Sequence, residues 1–232
     1  MRLDKYLCDR NVGSRSQVKN YIRQGLVSVN GRTVREAELK IDEKADQVLF
    51  RGETLVYQKY CYYMLNKPAG VVSATRDNTA GTVVELLGED GRADIFPVGR
   101  LDKDTEGLLL LTNDGELAHR LLSPKRHVDK TYLVTPERKP LPEELDRLKT
   151  GVDIGEKRPT LPARAELLED GRLLLTIQEG KFHQVKRMLQ AVDNRVTALK
   201  RISFGELKLD ESLSPGEYRK LTKEEVAKLH ET

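Results

Sequence analysis

Four consecutive leucines at 108–111 follow a charged nonapeptide, GRLDKDTEG, at 99–107. An uninterrupted apolar run bounded by polar residues is typical of a strand that is buried on both faces of a sheet. The loop before it must therefore lead straight into a core, although it carries Asp102 and Asp104. Either these acids form a solvated turn, or the loop places a carboxylate at the mouth of a site beside a rigid strand.

Composition excludes several classes of protein. The chain has 232 residues, of which 38% are hydrophobic and 33% charged, as expected for one large or two small globular domains. The N-terminal stretch MRLDKYLCDR lacks the apolar segment of a secretory signal, and no apolar run approaches the ~20 residues that span a bilayer. Cys8 and Cys61 have no metal-ligand spacing, and the four histidines are scattered. We expect a cytoplasmic protein with no membrane association and no metal site.

Positive charge is concentrated in two stretches of a chain whose net charge is only +3. Residues 1–35 contain 8 Lys and Arg against 2 Asp and Glu, and residues 181–201 contain 6 against 1. Basic patches on a near-neutral body are typical of a protein that binds a polyanion such as nucleic acid. An ordinary solvated face is the alternative for either stretch.

The first 57 residues are predicted to form a small domain of two helices and a hairpin. A helix over RLDKYLCDRNV precedes Ser14, which begins a Ser-x-x-Gln capping box for a second helix ending near Gln24. Asn30-Gly31 between alternating apolar residues predicts a β-hairpin. The second helix carries basic residues at four-residue spacing, namely Arg15, Lys19 and Arg23.

This first block resembles the S4 RNA-binding domain in the stretches RLDKYL and SRSQVKNYIRQGLVSVNG. The resemblance implies a helix-and-hairpin surface that binds RNA through its phosphates and its shape. On that surface Arg15, Lys19 and Arg23 are the expected phosphate contacts.

Residues 60–232 are predicted to form a larger α+β domain. Strand patterns recur without the regular alternation of a Rossmann fold, so we expect a mixed, largely antiparallel central sheet. One strand is expected after the Lys67-Pro68 turn, in GVVSA, and a short helix in TVVELLG, with Thr82 capped by Glu85. No G-x-G-x-x-G, P-loop or G-x-S-x-G motif is present, so the sequence indicates neither nucleotide cofactors nor serine-type acyl transfer.

Four stretches of the second block resemble the pseudouridine synthases, in their RsuA branch. They are GRLDKDTEGLLLLTNDG at 99–115, DKTY at 129–132, EGKFHQVKRM at 179–188 and LSPGEYRKLTKEE at 213–225. Together with the S4-like block, the resemblance covers nearly the whole chain. It implies site-specific isomerisation of uridine to pseudouridine in 16S ribosomal RNA, without a cofactor.

The resemblance further implies a monomer whose partner is 16S rRNA or a small-subunit assembly intermediate. Two alternatives remain open at this point: a sister synthase that modifies 23S rRNA, and a non-catalytic RNA-binding ribosome-assembly factor. The KFHQVKRM version of the third motif favours the small subunit, and the presence of the motif aspartate and tyrosine argues against the non-catalytic factor.

By resemblance, Asp102 is the carboxylate that stabilises or traps C1′ when the glycosidic bond breaks, as carboxylates do in glycosidases. Asp104 is then a turn or capping acid. Tyr132 matches the family's active-site tyrosine, whose ring can stack on uracil. Lys186 lies where many relatives have an arginine that pairs with the aspartate, and it keeps the charge without the bidentate fork. Direct attack and a glycal route are both compatible with these residues.

The remaining candidates are residues expected to contact RNA in the second domain. Arg100, two residues before Asp102, is expected to enter the RNA stack where the target base leaves it, with a phosphate contact or a surface ion pair as the alternative. The others are Lys67, Lys130, Lys181, His183, Arg187 and Arg201.

Overall fold

The computed structural model describes residues 1–10, 12–55, 59–92 and 94–231. The chain divides into two compact units. The first comprises Met1–Tyr60 together with Leu87–Ile95, and the second comprises Cys61–Leu86 together with Phe96–Thr232. The first predicted helix, which extended through Val12, ends earlier in the structure, at Asp9. Residue 11 and the predicted domain end at residue 57 lie outside the described residues.

The first unit consists of two helices followed by an antiparallel sheet. The helices are α1 (Leu3–Asp9) and α2 (Arg15–Arg23). The strands, which pair in the order β2-β1-β3-β4, are β1 (Val27–Val29), β2 (Arg32–Thr33), β3 (Val48–Phe50) and β4 (Glu53–Leu55).

The local signals in the first unit correctly predicted its elements. Ser14 caps α2 through the reciprocal pair with Gln17 that the sequence indicated. Asn30 and Gly31 have φ of 51° and 76°, the left-handed values that a two-residue hairpin turn requires. One face of α2 is fully buried, at Val18 and Ile22, so its basic residues lie on the remaining surface.

The second unit is built on a nine-stranded sheet with helices packed around it. Its elements are β5 (Tyr62–Lys67), β6 (Phe96–Pro97), β7 (Glu106–Thr112), α3 (Gly115–Leu122), β8 (Lys130–Pro136), α4 (Pro142–Thr150), β9 (Arg164–Leu167), β10 (Leu173–Ile177), α5 (Gln184–Ala191), β11 (Val196–Phe204), β12 (Leu207–Lys208), β13 (Tyr218–Lys220) and α6 (Lys223–Glu231). A 3₁₀ segment also occupies Pro124–Arg126, and another, Glu85–Asp90, begins in the second unit and ends in the first.

The main path of this sheet has the order β13-β5-β7-β11-β8-β10-β9. Strand β12 pairs with β11 and β6 with β7, and every pairing is antiparallel except that of β7 with β11. The predicted α+β fold with a mixed, largely antiparallel sheet is therefore confirmed.

Strand β7 lies inside this sheet, as its four leucines predict. Leu108, Leu109, Leu110 and Leu111 are all 0% exposed. Gly107 at the start of the strand has a φ of +100°, and a Cβ there would overlap the backbone oxygen of Arg201 in β11. Only glycine permits this close parallel pairing.

Two predicted elements of the second block are wrong. The GVVSA stretch forms no strand beyond an isolated bridge of Val72 with Thr82; Gly70 and Ser73 near its two ends instead bind the loop that carries Asp102. Thr82 and Glu85 do form the predicted reciprocal cap, but a 3₁₀ segment follows in place of an α-helix. That segment is interrupted at Gly88, where φ is 50° and ψ is −124°. Within the described ranges, no helix combines the length and apolarity needed to cross a bilayer.

Candidate active site

The loop that carries Asp102 and Asp104 is held from one side by the segment that follows β5. The Ser73 hydroxyl donates to the carbonyl of Leu101 at 2.9 Å and accepts from the Leu101 amide at 3.0 Å. The Gly70 amide donates to the carbonyl of Lys103 at 2.8 Å. Backbone on both sides of Asp102 is thus fixed by residues some 30 positions earlier in the chain.

Lys67 supports the same loop from the interior. Its side chain is 0% exposed, and Nζ donates to the carbonyls of Pro68 at 3.0 Å, Lys103 at 3.2 Å and Thr105 at 2.8 Å. Burial lowers the pKa of Lys67 to about 8. The expectation that Lys67 lines an RNA channel is wrong, because its ammonium is enclosed by the loop that it supports.

Lys186, on α5, joins the two acids of the loop. Its Nζ lies 3.1 Å from Oδ2 of Asp102 and 2.6 Å from Oδ1 of Asp104. Partial burial by itself lowers the pKa of Lys186, but the hydrogen bonds to Asp104 and Asp102 more than reverse this effect, so the pKa is raised overall. The hydrogen bond from Lys186 also lowers the pKa of Asp104. Lys186 is therefore a fixed cation shared by two carboxylates.

Asp102 borders a small cleft of about 80 Å³. The cleft is lined by Arg100, Leu101, Asp102, Thr105, Tyr132, Ile177, Gly180, Lys181, His183, Gln184, Val185 and Leu199. Tyr132 enters from β8 and is 8% exposed, and Nε2 of His183 lies 3.6 Å from Oδ1 of Asp102. Five of the sequence-predicted residues of the second block thus line one cleft, and Lys186 pairs with its aspartate.

One polar atom at the cleft has no partner within the described part of the chain. Thr105 is 1% exposed, and its Oγ1 is buried without a hydrogen bond to any described residue. Its backbone amide donates to the carbonyl of Asp102 at 3.1 Å. A buried hydroxyl without a partner is costly. The motif alone gave no indication that Thr105 has this unusual environment.

Two further residues predicted to line an RNA channel are largely enclosed. Arg201 is 2% exposed, and its Nε donates to the carbonyl of Leu108 at 2.8 Å. Lys130 is half-buried and donates to the carbonyl of Val128 at 2.9 Å. Burial, reinforced by the nearby Arg201, lowers the pKa of Lys130 to about 8. The prediction that Arg201 faces RNA is wrong, because its side chain is buried and its guanidinium is bound to the backbone of β7.

The remaining cations of the predicted set differ in how freely they can meet a ligand. Lys181 is paired with Glu179 at 3.3 Å, and Arg187 with Glu156 at 2.8 Å. Arg100 is exposed and has no hydrogen bond or ion pair to any described residue. In the first unit, Arg15 and Arg23 are exposed and Lys19 is half-exposed.

The sequence did not single out several residues that build the site. Ser73 and Thr105 act through contacts that join distant segments, so no local pattern could reveal them. Phe182, an aromatic residue within the basic stretch KFHQVKR, was a visible signal, because aromatic and basic side chains together are typical of RNA recognition. Within the described ranges, no group of three or more His, Cys, Asp or Glu side chains has the arrangement of a metal site.

Comparisons with known proteins agree with this architecture. The profile of the S4 domain matches residues 1–48, and that of RNA pseudouridylate synthase matches residues 61–191. A Bacillus subtilis (strain 168) protein named "Uncharacterized RNA pseudouridine synthase YtzG" is 49% identical over 100% of this chain and 99% of its own length.

Two relatives carry the name "Ribosomal small subunit pseudouridine synthase A". The one from Haemophilus influenzae is 44% identical over 99% of both chains, and the one from Escherichia coli (strain K12) is 43% identical over 98% of this chain and 99% of its own. A solved structure titled "Crystal structure of pseudouridylate synthase" superposes with a TM-score of 0.71, at 41% identity and 99% coverage of both chains. With sequence, motifs and fold in agreement from end to end, this chain belongs to the RNA pseudouridylate synthase family.

Proposed function

We propose that this protein converts one uridine of small-subunit ribosomal RNA into pseudouridine, with Asp102 as the catalytic carboxylate. Membership of the family supports the reaction class, and the two relatives named for the small subunit support the choice of RNA. The observation that carries the assignment of Asp102 is its pairing with Lys186, at 3.1 Å, beside the cleft that Tyr132 lines.

The chemistry accounts for this set of groups. The C1′–N1 bond of uridine breaks, the uracil turns, and C1′ joins C5; C5 then loses a proton and N1 gains one. Substrate and product are isomers, so the balance requires no co-reactant. Positive charge develops at C1′ when the glycosidic bond breaks, and a carboxylate at that atom stabilises it.

Each neighbouring group has a distinct task in this proposal. Lys186, whose pKa is raised by its hydrogen bonds to the two acids, is a cation at neutral pH and holds the Asp102 carboxylate in position. Tyr132 supplies a buried ring against which an extruded uracil can stack, and a hydroxyl that can move a proton. Because Asp102 is only 28% exposed, the target nucleotide must leave the RNA stack to reach it.

The first unit is the RNA anchor in this proposal, through Arg15, Lys19 and Arg23. In this proposal the protein acts as a monomer in the cytoplasm, on 16S rRNA or a small-subunit assembly intermediate.

Pseudouridine mapping of ribosomal RNA from cells with and without the gene tests the proposal. We expect one 16S position to lose its modification and to regain it with the wild-type gene but not with Asp102→Asn. Loss at a 23S position instead would contradict the choice of RNA. An unchanged map, with purified protein that binds 16S rRNA without modifying it, would favour the non-catalytic assembly factor.

A further inference from the structure

Phe182 is the most exposed large hydrophobic side chain in the described part of the chain. It is 71% exposed, whereas Leu141, the next, is 48% exposed. Single exposed apolar side chains are ordinary on protein surfaces, so the position of Phe182 is more informative than its exposure.

The ring stands directly beside the candidate active site. Phe182 stacks on the imidazole of His183, with centroids 3.8 Å apart and planes 19° from parallel. His183 in turn lies 3.6 Å from Asp102. We call Phe182 and His183 together the aromatic pair. The ring of His183 lies between the ring of Phe182 and the cleft.

The backbone under the aromatic pair is held in place. Arg187 donates to the carbonyl of Phe182 at 3.0 Å and is itself fixed by Glu156 at 2.8 Å. The Lys181 amide donates to Gln184 at 2.9 Å, closing the turn on the other side. His183 adopts a φ of 48°, an uncommon left-handed conformation that orients the pair at the start of α5. The exposure of Phe182 is therefore a feature of a well-anchored turn.

The charged residues near the aromatic pair favour a partner that is anionic and can stack on an aromatic ring. Arg100 and His183 line the adjoining cleft, while Lys157 and Arg158 are exposed on the segment whose carbonyl groups bind Lys181. The acids of this region are paired with cations: Glu156 with Arg187, Glu179 with Lys181, and both Asp102 and Asp104 with Lys186. Cations around one flat aromatic ring are the arrangement by which proteins bind unpaired nucleotides.

We propose that the outward face of Phe182 is a stacking platform for a base of the substrate RNA adjacent to the target uridine. This inference rests on the proposed function, because it requires the target nucleotide to enter the neighbouring cleft. The platform replaces stacking that the flanking base loses when the uridine is extruded. It therefore holds the RNA open at the site without reading its sequence.

The test uses the full-length chain and a 16S rRNA fragment carrying 2-aminopurine next to the target uridine. Asp102→Asn, which keeps the RNA unreacted, is combined with Phe182→Ala, with Phe182→Trp, or with Leu141→Ala as a matched exposed control. Binding should quench 2-aminopurine in the Phe182→Trp and Leu141→Ala proteins. Phe182→Ala should lose the quenching and bind about 5- to 150-fold more weakly, the equivalent of ~1–3 kcal/mol for one stacked base.

Quenching and affinity in Phe182→Ala equal to those in Leu141→Ala would overturn the platform. So would a Phe182→Ala protein that binds the RNA fragment normally but no longer binds small-subunit particles, since that result assigns Phe182 to a protein contact. Pseudouridine formation by the otherwise wild-type chain is measured separately on unlabelled fragment. If no pseudouridine forms although binding still quenches 2-aminopurine, the proposed function is contradicted, whereas the stacking role of Phe182 is not.

Discussion

At the scale of single residues, the ammonium of Lys186 is the group that organises the candidate site. It is closer to Asp104, at 2.6 Å, than to Asp102, at 3.1 Å. Asp104 is 72% exposed, so water weakens the pair, yet it provides the second anchor for the ammonium. Asp104 therefore has a partner across the site, which a turn or capping acid alone would lack.

Asp104→Asn is expected to lower the single-turnover rate about two- to fivefold, because an ion pair to a largely exposed carboxylate is worth only ~0.5–1 kcal/mol. Asp102→Asn should bind RNA and form no pseudouridine. Asp146→Asn, at another exposed ion-paired acid, is the control and should react at the wild-type rate. Equal rates for Asp104→Asn and Asp146→Asn would show that Asp104 does not position Lys186.

At the scale of elements, the one parallel pairing of the sheet brings the strand after the Asp102 loop against β11. Gly107 and Arg201 face each other in this pairing, and Arg201 also pairs with Tyr132 in β8. Strand β11 thus connects the strand that follows the candidate carboxylate with the strand that carries the candidate tyrosine. The buried Arg201 guanidinium fixes β7 further through the carbonyl of Leu108.

Gly107→Ala should destabilise the protein by about 3 kcal/mol, since the new methyl group overlaps the Arg201 backbone and the left-handed φ adds strain. Gly171→Ala is the matched control: Gly171 also has a positive φ, of +86°, but its Cβ would meet open space. Urea unfolding measures both, with about 1 kcal/mol expected for the control. A Gly107→Ala protein as stable as the control would contradict the close pairing.

At the scale of the whole molecule, two hydrophobic cores, the buried Lys67 and the half-buried Lys130 determine how stability responds to mutation and pH. The first unit has its own cluster, including Leu3, Leu7 and Ile22, and the second has another around β7. Burial lowers the pKa of both Lys67 and Lys130 to about 8. Both lysines lie in the second unit.

The free energy of unfolding should rise with pH between about 8 and 10.5. In that window the unfolded chain keeps the protons of Lys67 and Lys130 while the folded chain releases them, so the unfolded state binds more protons. Each lysine adds up to ~1.4 kcal/mol per pH unit. Lys130→Met should reduce the slope by about one proton in denaturant titrations. An unchanged slope would show that the pKa of Lys130 is not lowered in the folded chain.

Replacing Arg15, Lys19 and Arg23 together by alanine should weaken RNA binding at low salt and flatten its salt dependence. The slope of log K against log salt should fall by about two, if each phosphate contact contributes ~0.7–0.9. A triple alanine variant at exposed lysines of the second unit, Lys139, Lys149 and Lys228, removes the same charge and should change the slope little. Equal slopes for the two triple variants would show that the first unit is not the RNA anchor.

The sequence by itself determined the features that depend on residues close together along the chain. Capping at Ser14, the turn at Asn30-Gly31 and the burial of Leu108–Leu111 follow from local chemistry and hydrophobicity. The four motif stretches of the second block predicted the family, and the strand patterns without regular βαβ alternation predicted the α+β class.

Only the tertiary structure decided which side chains meet. Lys67 and Arg201 are cationic, as RNA-contacting residues are, but both are buried. The carbonyls that accept their hydrogen bonds belong to other segments of the chain. The grouping of Leu87–Ile95 with the first unit, the hold of Ser73 on Leu101, and the partner of Asp104 likewise depend on distant contacts. Hydrogen bonds and burial between such segments are set by how the sheet is assembled, and no local pattern in the chain encodes them.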